Sequence, residues 1–402
     1  ADAITKSHLH LRLGRLQHRK FLQGVKALKH FQDAYKINPA LVDALANARA
    51  IYLELGKLNM VQKLLELELK AVTEPERQAA LLIELGDTLR DQGDAERAAS
   101  QYAQAIKCGG GAVAAPLLED AQASANDWQD RVGELLRAAH ASTDAAEKSA
   151  LLTRSARIIN CFAPSDVQGV LEQAYVADPY NLRVAALLEA LLVEANSTER
   201  IYELQRAIVE STTAAPDRAA MLRAFGARWA IRHQNHEVAA GLLEQAARLD
   251  PDDDTALLYL RDVYGARMGE WARVLRLLDE LLERPLAPAT AATLAAHGGT
   301  IAWRELGDIA AARRYFVRLA AHDGDHPALV AFQQQTGENL APAAARGEAP
   351  TAAADEVPPV LAPVAAVAAE PVPSAEAGAP TAVAATPDAA VAEAAAPPQG
   401  AG

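Results

Sequence analysis

Two groupings of histidine and carboxylate residues are the first places to look for chemistry. His322, Asp323, Asp325 and His326 bring two imidazoles and two carboxylates into one short stretch, ligand types that a divalent metal accepts. His233, His236 and Glu237 form a similar set. Both stretches read as surface turns, where Asp and Gly serve capping and chain reversal, and a structural role is expected of them. Asp250-Pro251-Asp252-Asp253-Asp254 is acidic enough to suggest calcium but lacks the glycine and distal glutamate of a calcium loop. It reads instead as a helix stop followed by an acidic first turn that the helix dipole favours. Cys108 and Cys161 are the two cysteines, which excludes a disulfide framework and an all-cysteine zinc site. Both read as small apolar fillers. Gly-x-Ser-x-Gly, His-Glu-x-x-His and the dinucleotide fingerprint are absent, and Gly109-Gly110-Gly111 is not followed by the Lys-Ser or Lys-Thr of a phosphate loop. The expectation is a protein without catalytic residues, cofactor or metal.

Composition narrows the remaining classes. The chain has 402 residues, 50% hydrophobic, and a net charge of -13, a balance unsuited to neutralising nucleic acid phosphates. It contains no apolar run of membrane-spanning length and opens without a signal-peptide pattern, so no membrane span and a cytoplasmic location are expected. The first residue is Ala1 rather than Met, which leaves room for an upstream segment. High Ala and Arg content points to a GC-rich bacterial source. Composition changes at Gly337: residues 337–402 hold 11 Pro and 26 Ala, no aromatic residue and a net charge of -7. Proline breaks each alanine run before a helix nucleus is repaid, so this stretch reads as a disordered acidic tether.

The residues ahead of Gly337 must form whatever scaffold positions a site. Their apolar periodicity is helical almost everywhere, without the alternation of strands. Asn38-Pro39, Glu74-Pro75, Asp178-Pro179, Asp250-Pro251 and His326-Pro327 read as helix ends, with Gly56, Gly93, Gly269 and Gly307 in shorter turns. One spacing recurs. Leu82, Leu85, Gly86, Leu89, Gly93, Ala98, Tyr102 and Ala105 form the fullest copy; Leu222, Phe225, Gly226, Trp229, Ala239, Leu243 and Ala246 form a second. Leu13, Gly14, Ala27, Phe31 and Ala34 open the series, and Trp303, Gly307, Ala312, Phe316 and Leu319 close it. The period is about 34 to 35 residues, that of paired helices. Small residues at Gly86, Ala98 and Ala105 let two backbones approach, and a large one such as Tyr102 fills the space between. A single hairpin cannot cover its own apolar face, so hairpins must stack.

These positions resemble the tetratricopeptide repeat (TPR) family. The resemblance covers most of residues 7–336 and is weakest at residues 112–145, where Trp128, Leu135 and Leu136 mark the second helix of an eroded repeat. It implies an all-α protein: a right-handed α-solenoid of about nine TPR-like hairpins plus a capping helix at residues 327–336, followed by the disordered tail. The expected divisions are 1–108, 112–336 and 337–402, with Gly109-Gly110-Gly111 either a long inter-repeat turn or a hinge. Trp271, beside Gly269, is expected to tuck under the adjoining hairpin.

The family binds proteins in its concave groove, and the resemblance implies a non-catalytic interaction scaffold that grips a segment of a protein or peptide partner. The first hairpin carries a net charge of +6 over residues 1–39, which suits an acidic ligand. Groove positions fall on His8, Leu11, Arg15, His18 and Arg19, and farther along on Arg223, Tyr259, Asp262, His297 and Arg304. The family's carboxylate clamp is not matched, because its last places fall on Ala80 and Glu84. Two other readings stay in view: a helical-hairpin array for RNA, which needs a basic groove along its whole length, and a targeting or assembly module of a larger protein or enzyme.

Overall fold

The computed structural model describes residues 2–340; from Ala341 onward the predicted acidic tether lies outside the described residues. The described residues are helical, with no strand among them. They form two compact units that part between Pro285 and Leu286. In the first unit the helices are α1 (Ala3–Arg19), α2 (Gly24–Ile37), α3 (Asp43–Glu54), α4 (Leu58–Ala71), α5 (Pro75–Asp91), α6 (Ala95–Ala105), α7 (Gly111–Ala121) and α8 (Trp128–Ala141). They continue as α9 (Ala145–Phe162), α10 (Val167–Ala177), α11 (Leu182–Glu194), α12 (Glu199–Ser211), α13 (Ala215–Ile231), α14 (His236–Leu249), α15 (Thr255–Leu260) and α16 (Trp271–Leu282). A π-helical stretch, Arg261–Arg267, extends α15. The second unit holds α17 (Pro288–Thr300), its π-helical continuation Ile301–Glu305, α18 (Ile309–Ala320) and α19 (Pro327–Thr336).

Local chemistry explains the helix boundaries. Asp2 Oδ1 accepts from Thr5 N at 2.7 Å, Asp94 Oδ1 from Arg97 N at 3.0 Å and Asn235 Oδ1 from Val238 N at 3.1 Å, each satisfying a donor that the helix leaves open. Two of the Pro dipeptides behave differently from the sequence reading. Pro75 and Pro327 open α5 and α19 instead of closing the helices before them. A proline lacks the N–H that the first turn does not use and already has a helical φ.

The repeat spacing is a physical interlock. A Cβ built at Gly14 would lie 2.4 Å from Cε1 of Phe31, one at Gly86 2.4 Å from Cε1 of Tyr102, and one at Gly226 2.7 Å from Cγ of Leu243. The second unit repeats the device, with Gly298 against Tyr315 at 2.5 Å and Gly299 against Phe316 at 2.8 Å. Each glycine lets a large residue about 17 positions later press its side chain onto the backbone of the partner helix. Trp271 does the same from the next helix onto Gly265, as its position beside the turn implied. Trp303, Phe316 and Phe332 complete the second unit's core, with ring centroids 4.7 to 6.2 Å apart.

Two details depart from a regular array. The triple glycine does not divide the compact units: a π-helical turn, Ile106–Gly110, with Gly109 at φ 94°, joins α6 to α7 inside the first unit. In the eroded repeat, α7 lies on α6 while α8 lies on α9. Arg131 of α8 ties these parts together through Asp120 at 2.7 Å and Glu119 at 3.1 Å, and Trp128 stacks on Phe162 with centroids 5.5 Å apart.

Candidate functional site

Eight of the ten predicted groove residues belong to the first unit, and five of these, Asp262 among them, already have partners within it. Arg15 reaches Asp43 at 3.2 Å and Asn47 at 3.3 Å. His18 Nε2 sits 2.8 Å from Glu54 Oε2. Arg223 pairs with Asp250 at 2.7 Å and Asp253 at 3.6 Å. Tyr259 is 3% exposed, its hydroxyl 2.7 Å from His236 Nδ1, and burial pushes its phenol well above the ordinary value. His8 and Arg19 remain exposed on α1. In the second unit His297 is half-buried on α17, and the Arg304 guanidinium lies 4.5 Å over the Trp303 ring.

Several members of the histidine and acidic clusters make contacts within the fold. His326 Nδ1 accepts from Ala328 N at 3.2 Å, capping α19. Glu237 binds the Tyr264 hydroxyl at 2.6 Å and Arg273 at 3.1 Å. In the acidic run, Asp253 accepts from Thr255 N at 2.8 Å and Asp254 from Lys20 at 2.6 Å.

The Lys20 contact is part of a larger pattern. Gln23, in the turn after α1, donates to Asp262 at 2.8 Å, so the first hairpin touches the start of α15 and its π-helical extension. A methyl at Gly24 would stand 3.4 Å from Ile231 of α13, and α3 packs directly on α11. The first helices of early and late hairpins therefore meet.

A line of buried charge runs where they meet. Asp91, whose side chain is wholly buried, receives Arg157 Nε at 2.7 Å and Arg183 Nη1 at 2.5 Å. Burial opposes its ionised form, yet the two guanidinium groups hold its carboxyl below the usual carboxylate range. Arg157 also reaches Asp87 at 2.9 Å, and Asp87 accepts the Tyr102 hydroxyl at 2.8 Å. Arg49 bridges Glu84 and Glu68. Farther along, Glu189 is gripped by Arg228 through both oxygens, with Nη2 to Oε2 at 2.7 Å, and is flanked by Arg232 and His233. Here too burial works against the carboxylate, and His233 with Arg228 more than offsets it.

In the first unit, early and late hairpins thus touch directly. Ion pairs link these helices there: Arg49 of α3 with Glu84 of α5, Asp91 of α5 with Arg157 of α9 and Arg183 of α11, and Glu189 of α11 with Arg228 of α13. Neither the sequence spacing nor the net charge pointed to Asp91, Arg157, Arg183, Glu189 or Arg228. A signal was available, since Glu189 is the one polar residue between Val184 and Val193.

One face of α1 leaves a row of apolar side chains exposed. Leu9, Leu13 and Leu16 are 47%, 43% and 45% exposed, a stripe at helical spacing, with Ile4 at 61% extending it. Arg12, Arg15, Arg19 and Lys20 border the stripe. The chemistry on offer there is apolar contact framed by cations.

Among the described residues, no helix is long and apolar enough to cross a membrane. No family model matches the chain, and no curated protein matches it. Among solved structures, the crystal structure of the P58(IPK) TPR domain at 2.5 Å is similar at 15% identity and a TM-score of 0.25, over 82% of this chain and 97% of that one. The glycine interlocks and the packing of each helix on its neighbour make the described residues an all-α arrangement of helical hairpins.

Proposed function

We propose that the chain is a non-catalytic protein-interaction scaffold whose partner docks on the leucine-lined face of α1, not in a concave groove. One observation carries this reading: three leucines nearly half exposed on one face of α1, bordered by arginines. An amphipathic acidic segment of a partner protein fits that face. Its apolar side covers Leu9, Leu13 and Leu16 while carboxylates meet Arg12 and Arg19, charge complementarity that speeds encounter as well as holding register. Arg15 contributes less, because Asp43 and Asn47 already engage it.

The test compares proteins retained by the full chain, by a Leu13→Asp/Arg19→Glu variant and by an Arg206→Glu control on α12. Proteins kept by the parent and the control, and lost by the α1 variant, support the reading. Retention should also weaken as salt rises from 0.05 to 0.5 M, on the order expected for exposed charges. An unchanged set of retained proteins on the α1 variant refutes it.

A further inference from the structure

The cavity between the end of α5 and helices α9, α10 and α11 contains a cation that the protein itself does not neutralise. Arg90 is 7% exposed, and its guanidinium finds only Cys161 Sγ, at 3.8 Å, in a residue class almost never buried without a carboxylate. The acids nearby are committed elsewhere: Asp91 to Arg157 and Arg183, Asp87 to Arg157 and Tyr102. Arg157, whose side chain is 9% exposed, lines the same cavity and leaves its Nη2 without a hydrogen-bond partner. Glu194 stands at the mouth, on the exposed end of α11. Asn160 adds one amide to the lining, and the rest of the wall is apolar, formed chiefly by Val167, Leu171, Leu187 and Leu191.

An unpaired buried guanidinium is costly, and the strongest counter-group for it is a carboxylate taken up through two parallel N–H···O bonds. The cavity measures about 200 Å³. That is below the roughly 300–1,000 Å³ of sites for drug-sized molecules, and at ~30 Å³ per water-sized group it holds about seven non-hydrogen atoms. We infer that this cavity binds a small aliphatic monocarboxylate, its head on Arg90 and its alkyl chain against Leu171, Leu187 and Leu191. Cys161, exposed beside the cavity with its Sγ 3.8 Å from the Arg90 guanidinium, would be shielded by a head group held on that guanidinium. The assignment is independent of the docking face on α1.

Cys161 makes the site readable. In the full chain carrying Cys108→Ser, Cys161 is the one remaining thiol, and its alkylation by iodoacetamide is timed against rising concentrations of sodium pentanoate, pentanol and pentylammonium. The inference expects saturable protection by pentanoate, at least about tenfold tighter than by pentanol, the difference one charge-assisted contact supplies. Arg90→Gln should remove the saturable part while the far-UV spectrum and melting temperature show a folded chain. Equal effects of pentanoate and pentanol, protection without saturation, or full protection in a folded Arg90→Gln chain would each overturn it. If Arg90→Gln fails to fold, the comparison of acid, alcohol and amine on the parent chain still decides.

Discussion

Replacing Glu189 by Gln tests whether the line of buried charge in the first unit is dry and closed. The carboxylate is 2% exposed and holds Arg228, which is 3% exposed, while Arg232 and His233 approach within 3.6 and 3.4 Å. Removing its charge leaves a buried guanidinium facing a neutral amide, a loss of about 3–5 kcal/mol by the behaviour of broken buried pairs. Removing both charges, as in Glu189→Leu/Arg228→Met, takes away the desolvation cost together with the attraction and should cost far less than Glu189→Gln. Urea unfolding of the full chain, followed by far-UV circular dichroism, supplies the four corners of the cycle, and a coupling of at least about 2 kcal/mol is expected. The pH dependence follows from the same geometry. Because the folded carboxyl lies below its ordinary value of 4.5, its contribution is complete above that pH and is lost as pH falls through the folded value. The double variant should lack this portion of the acid loss. A Glu189→Gln effect under about 1 kcal/mol, with additive single variants, would mean that water reaches the pair. The dry, closed line would then be refuted, and the concave groove would return as the binding surface.

Three further outcomes follow from named contacts. Gly86→Ala should destabilise by about 0–2 kcal/mol, an overpacking cost of about 1–3 against Tyr102 partly offset by the roughly 1 kcal/mol that alanine gains in a helix. Gly241→Ala, with nothing within 4 Å of the new methyl, should stabilise by about 0.5–1 kcal/mol, and urea midpoints of the two variants separate the cases. His30 lies 3.2 Å from His10 through their Nδ1 atoms, and burial, then His10 and Lys29, outweigh Asp33 in holding its pKa below the ordinary 6.5. The first hairpin should therefore be most stable above pH 6.5 and lose protection against hydrogen exchange over residues 3–37 as pH falls below it, a loss that His10→Gln reduces.

What could be read from the sequence was local. Gly14 with Phe31, Gly86 with Tyr102 and Gly226 with Leu243 are each one helix-turn-helix apart, so a small-large spacing written in the chain directly encodes a contact. Trp271 and the capping role of His326 belong to the same range. The contact between early and late hairpins was not legible, because Asp91 meets Arg183 and Lys20 meets Asp254 only after several hairpins have accumulated their rotations. A small change in the angle per hairpin leaves every local contact intact and decides whether they touch. Arg90 escaped notice for the same reason: α5, α9, α10 and α11 are brought together by the stacking, not by any motif.

Contact between early and late hairpins also changes how the molecule should unfold. An open solenoid has contacts only between neighbouring repeats, so its stability is close to a sum over units, and its ends can fray independently. Here Lys20 and Gln23 are bonded to Asp254 and Asp262, and α3 rests on α11, so losing the first hairpin uncovers apolar and charged surface on distant ones. The first unit should therefore open as one cooperative body. Native-state hydrogen exchange in rising urea should show α3, α11 and α13 converging on a common opening energy, and Lys20→Ala/Gln23→Ala should lower protection in α13 and α15 as well as in α1. Fraying confined to α1 and α2 in that variant would show that the first hairpin behaves as an ordinary terminal repeat, and that its contact with the late hairpins adds nothing to cohesion.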